Sequence, residues 1–256
     1  MKNYLLVIGI LLLTLGDLFG EIKNGYEKDI AGIRMSLRSL KAMLSVTQDL
    51  TGMERRKINE SVKSLINHLV YKDVTDDLLN QFRLIAPDLY NAIDTLKDGR
   101  GREVDVYVKF FPKESSSSPA FVALMSAKGD LNRCDSEYGA GSVSVKIWFK
   151  SNALLVLAHE FGHVQYIVPH LAAYLEFYKR TYRQILPDVS LGHLWGDPSG
   201  KNASAFERRF CQYRTHFRKL DNYAIASPWK LIAPARRRVE ESLEHTAETL
   251  TARENW

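Results

Sequence analysis

The sequence predicts an α+β fold: a small mixed β-sheet packed on a central helix, with a helical N-terminal region and a helical C-terminal lobe. Three observations carry this. Apolar residues recur at three- and four-residue steps on both sides of the middle of the chain. Over 103–149 that spacing gives way to alternation, the period of a half-buried strand. Directly afterwards comes 151–168, SNALLVLAHEFGHVQYIV, an apolar helical stretch holding a few polar residues. At 256 residues, 45% hydrophobic and 11% aromatic, the chain can bury one good core or two small ones. With 25% charged residues it is globular, and a net charge of +5 is too mild for a dedicated nucleic-acid binder.

Lys2 precedes an apolar run over 5–15, broken only by Gly9 and Thr14 and followed by Gly16 and Gly20. A bilayer-spanning helix needs about 20 apolar residues, so the run reads as a signal-peptide core cleaved near Gly20. Residues 1–20 are therefore expected to direct the chain to the periplasm or outside the cell, an uncleaved N-terminal anchor being the alternative. No Cys follows the run, which argues against a bacterial lipoprotein.

Residues 21–99 read as a helical N-terminal region. Ile30, Ile33, Leu37, Leu40 and Leu44 mark one helix, and Ile58, Val62, Leu65, Ile66 and Leu69 a second over 54–70. Shorter helices fit 75–84, with Thr75 as cap, and 87–97, with Pro87 in the first turn. Scaffold is the plain role for such a region, and a propeptide or partner-binding arm the functional one. Asp98-Gly99-Arg100-Gly101 is a turn signal and the expected boundary with a second domain over 100–256.

Val104, Val106, Val108 and Phe110 alternate with polar residues as a strand, 120–126 forms another, and Val143, Val145, Ile147 and Phe149 alternate again. Ser115–118 is a tip, and 128–141 a polar loop holding Cys134. Beyond the central helix, 170–186 is expected to be helical, 191–200 rich in turns, 203–220 helical, and 235–253 a last helix entered after Pro234. Cys134 and Cys211 pair in an oxidising compartment, stay as buried thiols, or, least favoured for want of a C-x-x-C, bind metal.

His159-Glu160-Phe161-Gly162-His163 is an H-E-x-x-H pattern. Residues four apart on a helix sit one above the other, so both imidazoles point the same way and can bind one Zn²⁺. Glu160 lies beside them, placed to take a proton from an activated water. Gly162 in mid-helix costs about 1 kcal/mol against Ala, which suggests that something passes close to that face. The bland alternative is a partly exposed polar helix face. Ser151 or Asn152 can cap the helix and Pro169 stops it.

On these five residues the chain resembles the zincin metallopeptidases, and the order of strands and then motif helix extends the likeness loosely over 103–220. The resemblance implies a Zn²⁺-dependent hydrolase of peptide or protein substrates, with His159 and His163 as ligands and Glu160 as catalytic base. The metzincin extension fails, because Tyr166 stands where its Gly belongs and Pro169 where its third His belongs. The aspzincin pattern is missing too. That leaves the gluzincin arrangement, in which a Glu on a later helix completes the site. Glu207 is the best candidate, preceded by the small residues Ser204 and Ala205, with Asp197, His193, Glu176 and the cluster 240–244 behind it. Tyr213 or His216 would steady an oxyanion. The family binds an extended substrate along the edge of the strand beside the active-site helix, a role for 142–149 or 120–126 here.

The rival reading is a non-catalytic protein of the same fold that binds a partner or the cell envelope; only an enzyme needs the Glu160 carboxylate once ligands are in place. Arg208-Arg209, Arg214, Arg218-Lys219 and 236–238 would meet an acidic envelope surface or a peptide carboxylate on that view, and are otherwise solvated helix faces.

Overall fold

The computed structural model of the chain describes residues 22–46, 52–112, 120–126, 129–130, 142–150, 152–170, 197–221 and 227–254. The expected signal segment, the serine tip, Cys134, His193, and the helix expected over 170–186 except His170 lie outside these residues. The fold is mixed α+β and mostly helical, with one small sheet. Among the described residues no helix is long and apolar enough to cross a membrane.

The chain forms two compact units that do not follow its order. Of the described residues, one unit takes 25–74 and 230–254, and the other 22–24 and 75–229. The turn expected to divide the chain, 98–101, therefore lies inside the second unit.

The first unit is helical. It contains α1 (Tyr26–Val46), most of α2 (Gly52–Ile85), and all but the first two residues of α6 (Pro228–Glu254). Tyr26 and Ile30 of α1 and Ile58, Leu65 and Leu69 of α2 form its core, with Val62, Val239 and Leu243 packed against them. Those steps of three and four residues are the buried stripe of an amphipathic helix. The rings of His68 and Tyr26 meet edge to face at 5.7 Å between centroids. Arg238 of α6 pairs with Asp73 of α2 at 2.7 Å, so part of the 236–238 basic cluster is tied into this unit.

The helix boundaries expected at Thr75 and Pro234 are not found. Thr75 does not cap a new helix, because α2 runs unbroken through it. No Gly or Pro interrupts 70–75, and Val70, Val74 and Leu78 keep one face buried across the join. The Thr75 hydroxyl instead accepts the Phe110 N–H at 3.4 Å. Pro234 does not precede α6 but lies within it. The helix starts at Pro228, where a missing N–H costs nothing, and Trp229 anchors that start by donating its Nε1–H to the Phe149 carbonyl at 2.8 Å. Pro234 then deprives one exposed carbonyl, that of Lys230, of its helical partner.

The second unit holds the sheet, in the order β1 (Ile22–Asn24), β2 (Asp105–Phe111), β5 (Ser142–Trp148), β3 (Ala120–Ser126), β4 (Gly129–Asp130). The strands β1, β2 and β5 run parallel, and β3 is antiparallel to β5. Val106, Val108 and Phe110 of β2 and Val143, Val145 and Ile147 of β5 are buried, as their alternation dictates. The strand β1 is too short to show a period and was not expected. Asp94, at the end of α3 (Pro87–Asp94), accepts its Ile22 N–H at 2.8 Å. Before β2 comes the Asp98 turn. Its carboxylate accepts the N–H groups of Arg100 and Arg102, each at 2.9 Å, and the Arg102 Nε–H at 2.8 Å, while Gly101 takes φ +77.

Candidate metal centre

The helix after β5 is α4 (Ala153–Ile167). Asn152 occupies its N-cap position, but the side chain makes no capping bond, and its carbonyl accepts from Leu155 and Val156 instead. The helix closes in a 3₁₀ turn, Val168–His170, whose middle residue is Pro169. It is buried nearly all round, and two polar residues go with it into the core: Glu160 is 8% exposed and His163 5%.

His159 and His163 face one another, their rings edge to face at 4.8 Å between centroids and their Nε2 atoms 3.2 Å apart. Two zinc–nitrogen bonds of about 2.0–2.1 Å at a tetrahedral angle separate their nitrogens by roughly 3.3 Å. The imidazole pair thus fits Zn²⁺ in both donor type and spacing. Burial pushes the Glu160 carboxyl up to about 7.

The long helix α5 (Asp197–Asp221) lies against α4. It begins at Asp197 rather than near Ala203, so part of the passage expected to be turns is helical. A Cβ on Gly162 would fall 2.5 Å from Ala203 Cα and 2.9 Å from Phe206 Cβ. Glycine is what allows this approach, the close passage that its mid-helix position suggested. Asn202 donates its Nδ2–H to the Gly162 carbonyl at 2.7 Å. Phe210, one turn beyond Phe206, stacks on Phe82 of α2 at 4.6 Å, and Phe82 meets Phe161 of α4 edge-on at 5.3 Å. Three helices are pinned together behind the motif.

Glu207 comes to the site by this packing, but to its back. Its Oε2 lies 3.0 Å from Nδ1 of His159, the nitrogen on the far side of the ring from the Nε2 that faces His163. Among the described residues no group of three or more His, Cys, Asp or Glu is gathered as a metal shell. Asp197 is the first residue of α5, and 240–244 belong to the other unit; Glu176 and His193 lie outside the described residues. Tyr213 donates to Asp88 of α3 at 3.0 Å, and His216 is exposed. Cys211 is exposed on α5, not buried as one expectation had it. Asn202 was missed by sequence reasoning, since one Asn before a run of small residues has no spacing to mark it.

Of the two segments expected to offer a sheet edge, β5 does not, because β2 and β3 pair with both its sides. β3 keeps one. β4 pairs only with Met125 and Ser126, leaving 121–124 with no strand on their outer side among the described residues. No family model, no curated protein and no solved structure matches the chain.

Proposed function

We propose that the chain is an exported, zincin-like zinc peptidase in which His159 and His163 hold the metal and Glu160 is the general base. The observation that carries this reading is the 3.2 Å separation of the two imidazole Nε2 atoms on one side of a buried helix, with a buried carboxyl beside them. A bound Zn²⁺ supplies a Lewis acid that polarises a carbonyl and makes water nucleophilic near neutral pH.

Glu160 takes the proton from the water as its oxygen adds to the scissile carbonyl carbon. It then returns that proton to the amide nitrogen, the C–N bond breaks, and an amine and a carboxylate leave. Its burial and its place directly after His159 on the same helix suit Glu160 to both halves of that shuttle. Among the described residues the outer side of β3 over 121–124 carries no strand, which suits an extended peptide whose main chain would add to the sheet.

The test separates metal from chemistry. His159→Ala and His163→Ala should each lose most of the zinc measured by atomic absorption. Glu160→Gln should keep about one zinc per chain while cleavage of a peptide library falls by roughly 10²–10⁴-fold. Wild-type protein that neither carries zinc nor responds to chelator ends this reading. A Glu160→Gln variant with full activity would remove Glu160 as the base.

A further inference from the structure

The two nitrogens of His159 are engaged on opposite sides. Nε2 faces His163 Nε2 at 3.2 Å, and Nδ1 faces Glu207 Oε2 at 3.0 Å. An ionised carboxylate offers only acceptors, so this contact is a hydrogen bond only when Nδ1 carries the proton. A neutral imidazole holds one proton, and fixing it on Nδ1 leaves a lone pair on Nε2, the atom that faces the other histidine. One turn earlier on the same face of α5 stands Ala203, pressed on Gly162 and without any donor atom. Among the described residues, then, α5 presents its carboxylate to the back of His159 and none to the Nε2 side.

We infer that Glu207 is a positioning residue and not the third zinc ligand. It fixes the tautomer and the ring plane of His159, and its helix is itself fixed on α4 by Asn202 at the Gly162 carbonyl. The two contacts grip the motif from one neighbouring helix, at positions 159 and 162. The inference rests on the zinc reading for its importance, but its geometry stands without metal. Outer-shell partners of a ligating histidine are worth roughly 10–100-fold in metal affinity, far less than a ligand itself.

Two measurements test it. The first is Zn²⁺ affinity by competition with a chromogenic chelator for wild type, Glu207→Gln, Glu207→Ala and His163→Ala, with melting curves to confirm folding. Gln keeps an acceptor oxygen for the Nδ1–H, so Glu207→Gln should stay within about tenfold of wild type, and Glu207→Ala should lose roughly 10–100-fold at unchanged stoichiometry. If Glu207→Gln binds as poorly as His163→Ala, Glu207 is a ligand and the inference falls.

The second is a long-range proton–nitrogen NMR spectrum of the metal-free chain at pH 8, read for which ring nitrogen of His159 carries the proton. His159 should carry its proton on Nδ1 in wild type and Glu207→Gln, and shift toward Nε2 in Glu207→Ala. A wild-type His159 protonated on Nε2 overturns the assignment. A chain that binds no zinc, yet whose His159 tautomer follows Glu207, would sink the peptidase reading and leave the positioning role intact.

Discussion

Keeping a carboxyl group 8% exposed inside an apolar helix favours its neutral form, which is why burial raises Glu160 from an ordinary 4.5 to about 7. In the metal-free chain this makes stability depend on pH. Between 4.5 and 7 the native state holds a proton that the unfolded state has released, so the favourable contribution is complete below 4.5 and is lost as pH rises through 7. Glu160→Gln removes the cost of ionising a buried acid. In chelator at pH 8 the variant should therefore melt above wild type, by a margin on the order of 2–3 kcal/mol, while near pH 4.5 the two curves should draw together. Thermal melts at both pH values decide this, and a wild type that is the more stable at pH 8 would show that Glu160 is not desolvated as described. If Glu160 is the base proposed above, the same substitution gives opposite signs in stability and turnover, the pattern of a group kept for chemistry at the expense of the fold.

At the scale of elements, the contact of α4 with α5 lends itself to a test because two effects predict opposite outcomes for Gly162→Ala. Helix propensity alone favours Ala by about 1 kcal/mol. The approach of Ala203 Cα and Phe206 Cβ leaves no room for the added methyl, and pushing backbone aside costs about 1–3 kcal/mol. The expected outcome is a net loss of stability in urea denaturation, together with weaker zinc binding although His159, Glu160 and His163 are untouched. A variant as stable as wild type would mean that α5 does not sit where the packing puts it. The motif helix and the strands β2, β3 and β5 were legible in the sequence, because periods of 3.6 and 2 need only a handful of residues to declare themselves. The strand β1 was not, since three residues carry no period. Thr75, followed by Asp76 and Asp77, reads like a helix start, and only the burial of Val70, Val74 and Leu78 on one face shows the helix continuing. Of the site, the residues on α4 were legible from their spacing, and Glu207 as the residue that reaches them. Which nitrogen it reaches was not, because that depends on how two helices pack and not on either helix alone.

On the scale of the whole molecule, the position of β1 constrains where the N-terminus can be processed. Ile22 pairs in register with Val106 and its N–H is held by Asp94. A cut past Asn24 would strip that strand from the sheet, whereas a cut near Gly20 spares it. If the chain is exported and cleaved as proposed, N-terminal sequencing of the mature protein should accordingly begin at or just before Ile22. A chain retained in membranes and still starting at Met1 would indicate an anchor, and one starting beyond Asn24 would contradict the role of β1 in the sheet.

Because α6 supplies Val239 and Leu243 to the core built by α1 and α2, those helices wait for a partner made much later on the ribosome. Until that segment is synthesised, Ile30, Ile58 and Leu65 keep part of their apolar surface in water, and closing the gap means forming a long loop. The leading helices therefore cannot complete their core until the segment carrying Val239 and Leu243 has left the ribosome.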